Sequence, residues 1–163
     1  MSSQNNQFPV YQVPNHPSDQ LKVVLDYFDK LKHWDFDSLS KLSTSDFTQQ
    51  TLPASLGLAA RTKSEDIEFL HGFRDSLNSA QLQISIYEVN ENKGRIWVHL
   101  CMETVKTEAF FNFTFGTGKD KNLVVNLTEF VDSKVYAGDS SGDSSGSSSG
   151  NAQQEMPIQA PST

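Results

Sequence analysis

Apolar side chains between residues 18 and 34 recur with the period of a helix. Leu21, Val24, Leu25, Phe28 and Leu31 follow the i, i+3, i+4, i+7 spacing of one buried face, and Lys22, Asp26, Asp29, Lys30 and Lys32 cover the other. Ser18 or Asp19, just after Pro17, can cap this helix. A short second helix is predicted at about 37–43, with Asp35 or Asp37 as cap and Leu39 and Leu42 turned inward. Ser43-Thr-Ser-Asp46 breaks it, and residues 47–52 read as a short strand ended by Pro53. Thr62-Lys-Ser-Glu65 has the form of a capping box, with the hydroxyl reaching forward and the carboxylate back. It opens a third helix at about 63–78, carrying Ile67, Leu70, Phe73 and Leu77 on one side, slightly weakened by Gly72.

From residue 81 the period changes to two. Leu82, Ile84 and Ile86 alternate with polar neighbours. So do Ile96, Val98, Leu100 and Met102; Phe111, Phe113 and Phe115; and, in a last strand at 123–133, Leu123, Val125 and Leu127. Asn90–Gly94 and Gly116–Asn122 supply turns, and short turns imply antiparallel neighbours. Helices ahead of a run of strands predict an α+β fold, with three N-terminal helices covering one face of a curved, mainly antiparallel sheet. The other face bears Tyr87, Trp97, Phe110, Val124 and Phe130 among His99, Asn112, Asn126 and Thr128. Several apolar residues on one sheet face predict a partner surface, most simply a homodimer through that face.

Composition locates the domain. Hydrophobic residues are only 36% and charged residues only 20% of the 163. Residues 1–16 hold no Lys, Arg, Asp or Glu, and 138–163 are rich in Ser, Gly, Gln and Pro. The expected division is a flexible arm at 1–16, a domain at 17–137 and a disordered tail at 138–163. Net charge is −7, and three of the 20 acids (Asp139, Asp143 and Glu155) lie in the tail, which leaves −4 on the domain. No Lys/Arg run appears, which argues against a nucleic-acid partner. The apolar runs are too short for a membrane span, and the N-terminus lacks the pattern of a secretory signal. The single cysteine, Cys101, permits no internal disulfide. These features predict a cytoplasmic protein without a membrane partner.

Three phrases give the chain a family likeness: Tyr27-Phe-Asp-Lys-Leu-Lys-His-Trp-Asp-Phe-Asp-Ser-Leu39; Leu52-Pro-Ala-Ser-Leu-Gly57 followed by Arg61-Thr-Lys-Ser-Glu-Asp66; and Leu127-Thr-Glu-Phe-Val-Asp-Ser133. Over 17–137 the chain resembles the SnoaL-like proteins of the nuclear-transport-factor-2-like (NTF2-like) superfamily, of the type common in fungi. The resemblance implies a cone-shaped domain with an apolar cavity. It implies no single activity, because this fold hosts isomerases, cyclases, dehydratases, hydrolases and binding modules.

Each of those activities implies a residue pattern. The isomerases use a tyrosine of the first helix, which Tyr27 matches. Their base at the end of the first strand is missing, since Thr51-Leu52-Pro53 stands there, and Asn112 or a phenylalanine holds the place of their second acid. The cyclases use an aspartate near the last strand, matched by Asp132. Glu129 shares the parity of Val125 and Leu127, which would point it into the cavity, although meeting Lys134 or a helix N-terminus at the rim is an equal reading. The dehydratases use paired histidines, and His71 lies on the third helix. The Asp–Arg–Asp pattern of the epoxide hydrolases finds no counterpart around Arg61, Arg74 or Arg95. No histidine pair has metal-ligand spacing, so neither metal nor cofactor is expected. The resulting expectation is binding of a small apolar, polyketide- or steroid-like ligand, with or without acid/base catalysis. Asp132, Glu129 and Tyr27 are the candidate catalytic residues, and Trp34, His71, Met102, Asn112 and Phe113 the ligand contacts. The alternative is a non-catalytic dimeric interaction module with a closed cavity.

Overall fold

The computed structural model describes residues 9–132. The tail expected from residue 138 lies outside them. Helix α1 (Asp19–Lys32) starts where Ser18 accepts a hydrogen bond from the Leu21 N–H at 3.0 Å. Asp19 in its first turn and Lys30 and Lys32 in its last match the helix dipole. Its buried stripe is Leu21, Val24, Tyr27, Phe28 and Leu31, so Tyr27 belongs to the packed face. Helix α2 (Phe36–Ser40) is capped by Asp35.

Strand β1 (Ser43–Leu52) begins four residues before the expected strand. Its pairing is irregular between Ser43 and Thr48, and this interrupts the alternation that would have revealed those residues. A two-residue strand β2 (Arg61–Thr62) follows, too short to have a period. Helix α3 (Lys63–Ser76) opens with the expected capping box: Thr62 accepts from the Glu65 N–H, and Glu65 accepts from the Thr62 N–H at 2.8 Å. Strands β3 (Ile84–Asn92), β4 (Arg95–Met102), β5 (Thr107–Phe115) and β6 (Val124–Val131) complete the chain. The turn from β3 to β4 is only Lys93-Gly94, both with positive φ, as two-residue hairpins require.

The six strands form one sheet in the order β2-β1-β6-β5-β4-β3. Neighbours are antiparallel except β1 and β6, which run parallel. Register places Arg61, Gln49, Leu127, Phe113 and Ile96 in one row, and Thr51, Glu129, Phe111 and Val98 in the next row on that face. The inner face is thus polar at its β2-β1-β6 end and apolar toward β4. The intervening row, Thr128, Asn112 and Trp97, belongs to the outer face. Val124, expected on the outer face, is buried, because the β5–β6 register slips between Thr114 and Phe115 and reverses its side.

The core is an aromatic stack between α1 and the inner face. Phe28 meets Phe111 and Phe113 edge-on at 5.3 and 5.6 Å, and Tyr27 meets Phe113 at 5.1 Å. Phe113→Ala is expected to cost about 3–5 kcal/mol by urea denaturation, since neither the helix nor the sheet can close the gap freely. No helix among the described residues is long and apolar enough to cross a membrane.

Candidate active site

Between the helices and the inner sheet face lies a cavity of about 600 Å³. Its walls are apolar: Leu31 from α1, Phe69, Leu70 and Phe73 from α3 with Leu77 capping that helix, and Met102, Val105, Phe111, Leu127 and Val131 from the sheet side. It reaches the surface beside Gly72 and Ser76, which are both exposed. Six polar residues gather at the β2-β1-β6 end: Tyr27, Gln49, Arg61, Asp66 and Glu129 on the wall, with Thr51 behind them.

Each of these residues has a local reason for its place. Thr51 lies opposite Glu129 in the parallel pair, and Gln49 one inward position earlier. The Gln49 amide donates to Glu129 Oε2 at 3.1 Å and to Thr51 Oγ1 at 3.2 Å. Asp66 stands one turn before Leu70 on the buried side of α3. Arg61 Nε donates to Asp66 Oδ1 at 3.1 Å, and the guanidinium lies 3.9 Å from the centre of the Phe69 ring. This pair is nearly dry: the side chains are 13% and 7% exposed.

Burial governs the electrostatics. The Glu129 carboxyl is raised to about 7, chiefly by loss of solvent. Asp66 raises it further, whereas Arg61 and a hydrogen bond from Thr51 pull it back. The surface that Glu129 retains faces the cavity. Burial raises Asp66 too, against the pull of Arg61. Tyr27 is pushed well above its ordinary value of 10 by burial, with both carboxylates adding to the effect, so it stays protonated. The cavity end therefore holds one group that exchanges a proton near neutrality, one fixed O–H donor and one buried ion pair.

Of the residues singled out from sequence, Tyr27, Glu129 and Met102 line this cavity and the others do not. Asp132 is exposed just past the last strand, outside the lining, whereas Glu129 is on it. Asn112 sits on the outer face between Trp97 and Thr128, because its parity is opposite to that of Phe111 and Phe113. Phe113 is fully buried in the core beneath Tyr27. Trp34 donates its indole N–H to the Ala80 carbonyl at 2.9 Å and packs on Phe73, which itself lines the cavity. His71 is exposed, with its ring 4.2 Å from that of Phe36. Arg61, around which the sequence offers no Asp–Arg–Asp pattern, pairs with Asp66 beside Glu129. Gln49, Thr51 and Asp66 had not been singled out. Their signal is a polar residue at a buried-parity position: 49 and 51 share the parity of Phe47, and Asp66 falls on the stripe of Leu70, Phe73 and Leu77. Among the described residues no group of three or more His, Cys, Asp or Glu side chains is placed to hold a metal ion.

No family model matches the sequence, and no curated protein does. Solved structures do. A candidate SnoaL-like polyketide cyclase from Shewanella putrefaciens superposes with a TM-score of 0.61 at 12% identity, covering 81% of this chain and 96% of that one. AusH from Aspergillus nidulans gives 0.58 at 18% identity, over 74% and 88% of the two chains. The BvnE pinacolase from Penicillium brevicompactum gives 0.53 at 17% identity, over 73% and 89%.

Proposed function

From a chain that adopts the NTF2-like fold of the SnoaL-like proteins, we propose a protein that binds a small apolar, oxygen-bearing molecule of polyketide or steroid size and performs cofactor-free acid/base chemistry on it. The class of reaction is isomerisation, cyclisation or dehydration. One observation carries this reading: Glu129, with a carboxyl near 7, lies in an apolar cavity beside a tyrosine that stays protonated. In this reading Tyr27 donates to a ligand oxygen, and Glu129 takes or returns a proton at the neighbouring carbon or hydroxyl. The volume of about 600 Å³ is within the range of small-molecule sites. Two carboxyl groups against one guanidinium disfavour an anionic ligand, so the ligand is neutral at its polar end. The neighbours named as a polyketide cyclase and a pinacolase support the reaction class.

Native mass spectrometry of protein purified from its own source tests this. The expected result is a co-purifying neutral molecule that the Glu129→Gln protein binds and leaves unchanged. Conversion by that variant at the wild-type rate would end the catalytic reading.

We also propose a homodimer through the outer sheet face. Trp97, Phe110 and Phe130 are exposed there at 40, 45 and 40%, in adjacent rows of three neighbouring strands. His99 stacks on Phe110 at 4.3 Å, which flattens the patch. Sedimentation should give a dimer mass for the wild type and a monomer for Phe110→Glu; a wild-type monomer at micromolar concentration would refute the interface. A dimer that purifies with an empty cavity would instead be the non-catalytic module.

A further inference from the structure

We propose that Gln49 is a positioning residue for Glu129. Its amide holds Oε2 of the carboxyl as an acceptor, so the exchangeable proton resides on Oε1, the oxygen left for the ligand. This deepens the acid/base reading above and rests on it.

The argument begins with the two N–H bonds of the Gln49 amide. They go to Glu129 Oε2 at 3.1 Å and to Thr51 Oγ1 at 3.2 Å, in a side chain only 2% exposed. Its carbonyl Oε1 is buried and has no partner. Reversing the amide would turn that oxygen toward Glu129 and Thr51 and leave two buried N–H donors unpaired in place of one acceptor, a worse arrangement. The orientation is therefore set by the network. Thr51 accepts from Gln49, which frees its own O–H to donate to Glu129. Gln49 thus donates to Oε2, while Thr51 also lowers the proton affinity of the carboxyl, and an oxygen engaged by a donor is a poor seat for a proton. The other groups acting on Glu129 are Arg61 from β2 and Asp66 from α3, with Tyr27 from α1 alongside. Arg61 is committed to Asp66 and the Phe69 ring. Gln49 is the neighbour whose hydrogen bond reaches a named carboxyl oxygen, and it comes from a side chain shielded from solvent.

The test is an NMR titration that needs no ligand. In the wild type, the carboxyl ¹³C of Glu129 and the side-chain amide resonances of Gln49 should titrate together, with one midpoint. In Gln49→Met, which keeps volume and removes both donors, the Glu129 midpoint should rise by about one pH unit, a tenfold gain in proton affinity. A Gln49 amide that stays flat while Glu129 titrates would overturn the proposal, even where Gln49→Met fails to fold; so would an unchanged midpoint in a folded variant. The acid/base reading fails separately. A Glu129 midpoint in the ordinary carboxylate range, followed by Gln49, would remove that reading and leave the hydrogen-bond assignment standing.

Discussion

On the proposed acid/base function, Glu129→Gln is expected to slow conversion of the bound molecule by roughly 10²–10⁴-fold, the usual contribution of a positioned acid/base group. It should also change how stability depends on pH. A carboxyl raised from 4.5 to about 7 on folding binds its proton more tightly in the folded than in the unfolded chain. Between those two values the folded state holds more protons, so stability falls as pH rises and levels off above about 7. The shift corresponds to a loss on the order of 3 kcal/mol across that window. Glutamine has nearly the same shape, keeps an oxygen for the Gln49 amide and does not ionise. The variant should therefore match the wild type near pH 5 and exceed its stability at pH 8. Urea denaturation at the two values decides the matter; because Asp66 acts on Glu129, the wild-type-minus-variant difference reports Glu129 together with that coupling. Equal stability at both pH values would show that Glu129 is solvated in the ordinary way.

Arg61→Met is expected to be the most damaging single change at the cavity. It leaves Asp66 buried without its cation and removes the guanidinium from the Phe69 ring. Breaking a buried pair by removing one partner typically costs about 3–5 kcal/mol, because the remaining charge is uncompensated. The deficit should shrink as pH falls, since Asp66 escapes the penalty by taking a proton. Adding Asp66→Asn should restore much of the loss, because a neutral amide needs no countercharge, and the cycle of single and double variants measures the coupling. A loss under about 1 kcal/mol would be the behaviour of a solvent-exposed pair. It would contradict a pair this deeply enclosed.

The elements with a clean period were readable from sequence. The α1 stripe, the capping box at Thr62 and Glu65 and the alternation of β4 and β5 all follow from spacing alone. Reading failed where the spacing itself breaks. β2 is two residues long, the first half of β1 is irregular, and the register slip beside Phe115 turns Val124 inward. The site was half legible for a related reason. Glu129 was found because a carboxylate at an apolar parity is conspicuous. Asp66 was hidden in plain view, since an acid in the first turn of a helix has a sufficient explanation in the dipole. Gln49 and Thr51 share the buried parity of Phe47, but a single apolar residue in an otherwise polar strand is a weak signal, and their burial depends on a parallel partner about 80 residues distant.

That parallel partner bears on how the protein is made. Strands β3 to β5 pair with their immediate successors, so a growing chain can assemble them locally. β1 waits: until β6 is synthesised, its neighbour among the described residues is the two-residue β2. Contacts so far apart in sequence form slowly, and an unpaired strand edge is exposed to other chains in the meantime. During synthesis Gln49 and Thr51 can meet Glu129 only once β6 has been made. A chain that ends before residue 129 would carry Tyr27, Gln49, Thr51, Arg61 and Asp66 without the carboxyl they surround, and chaperone dependence should be greatest until β6 is available.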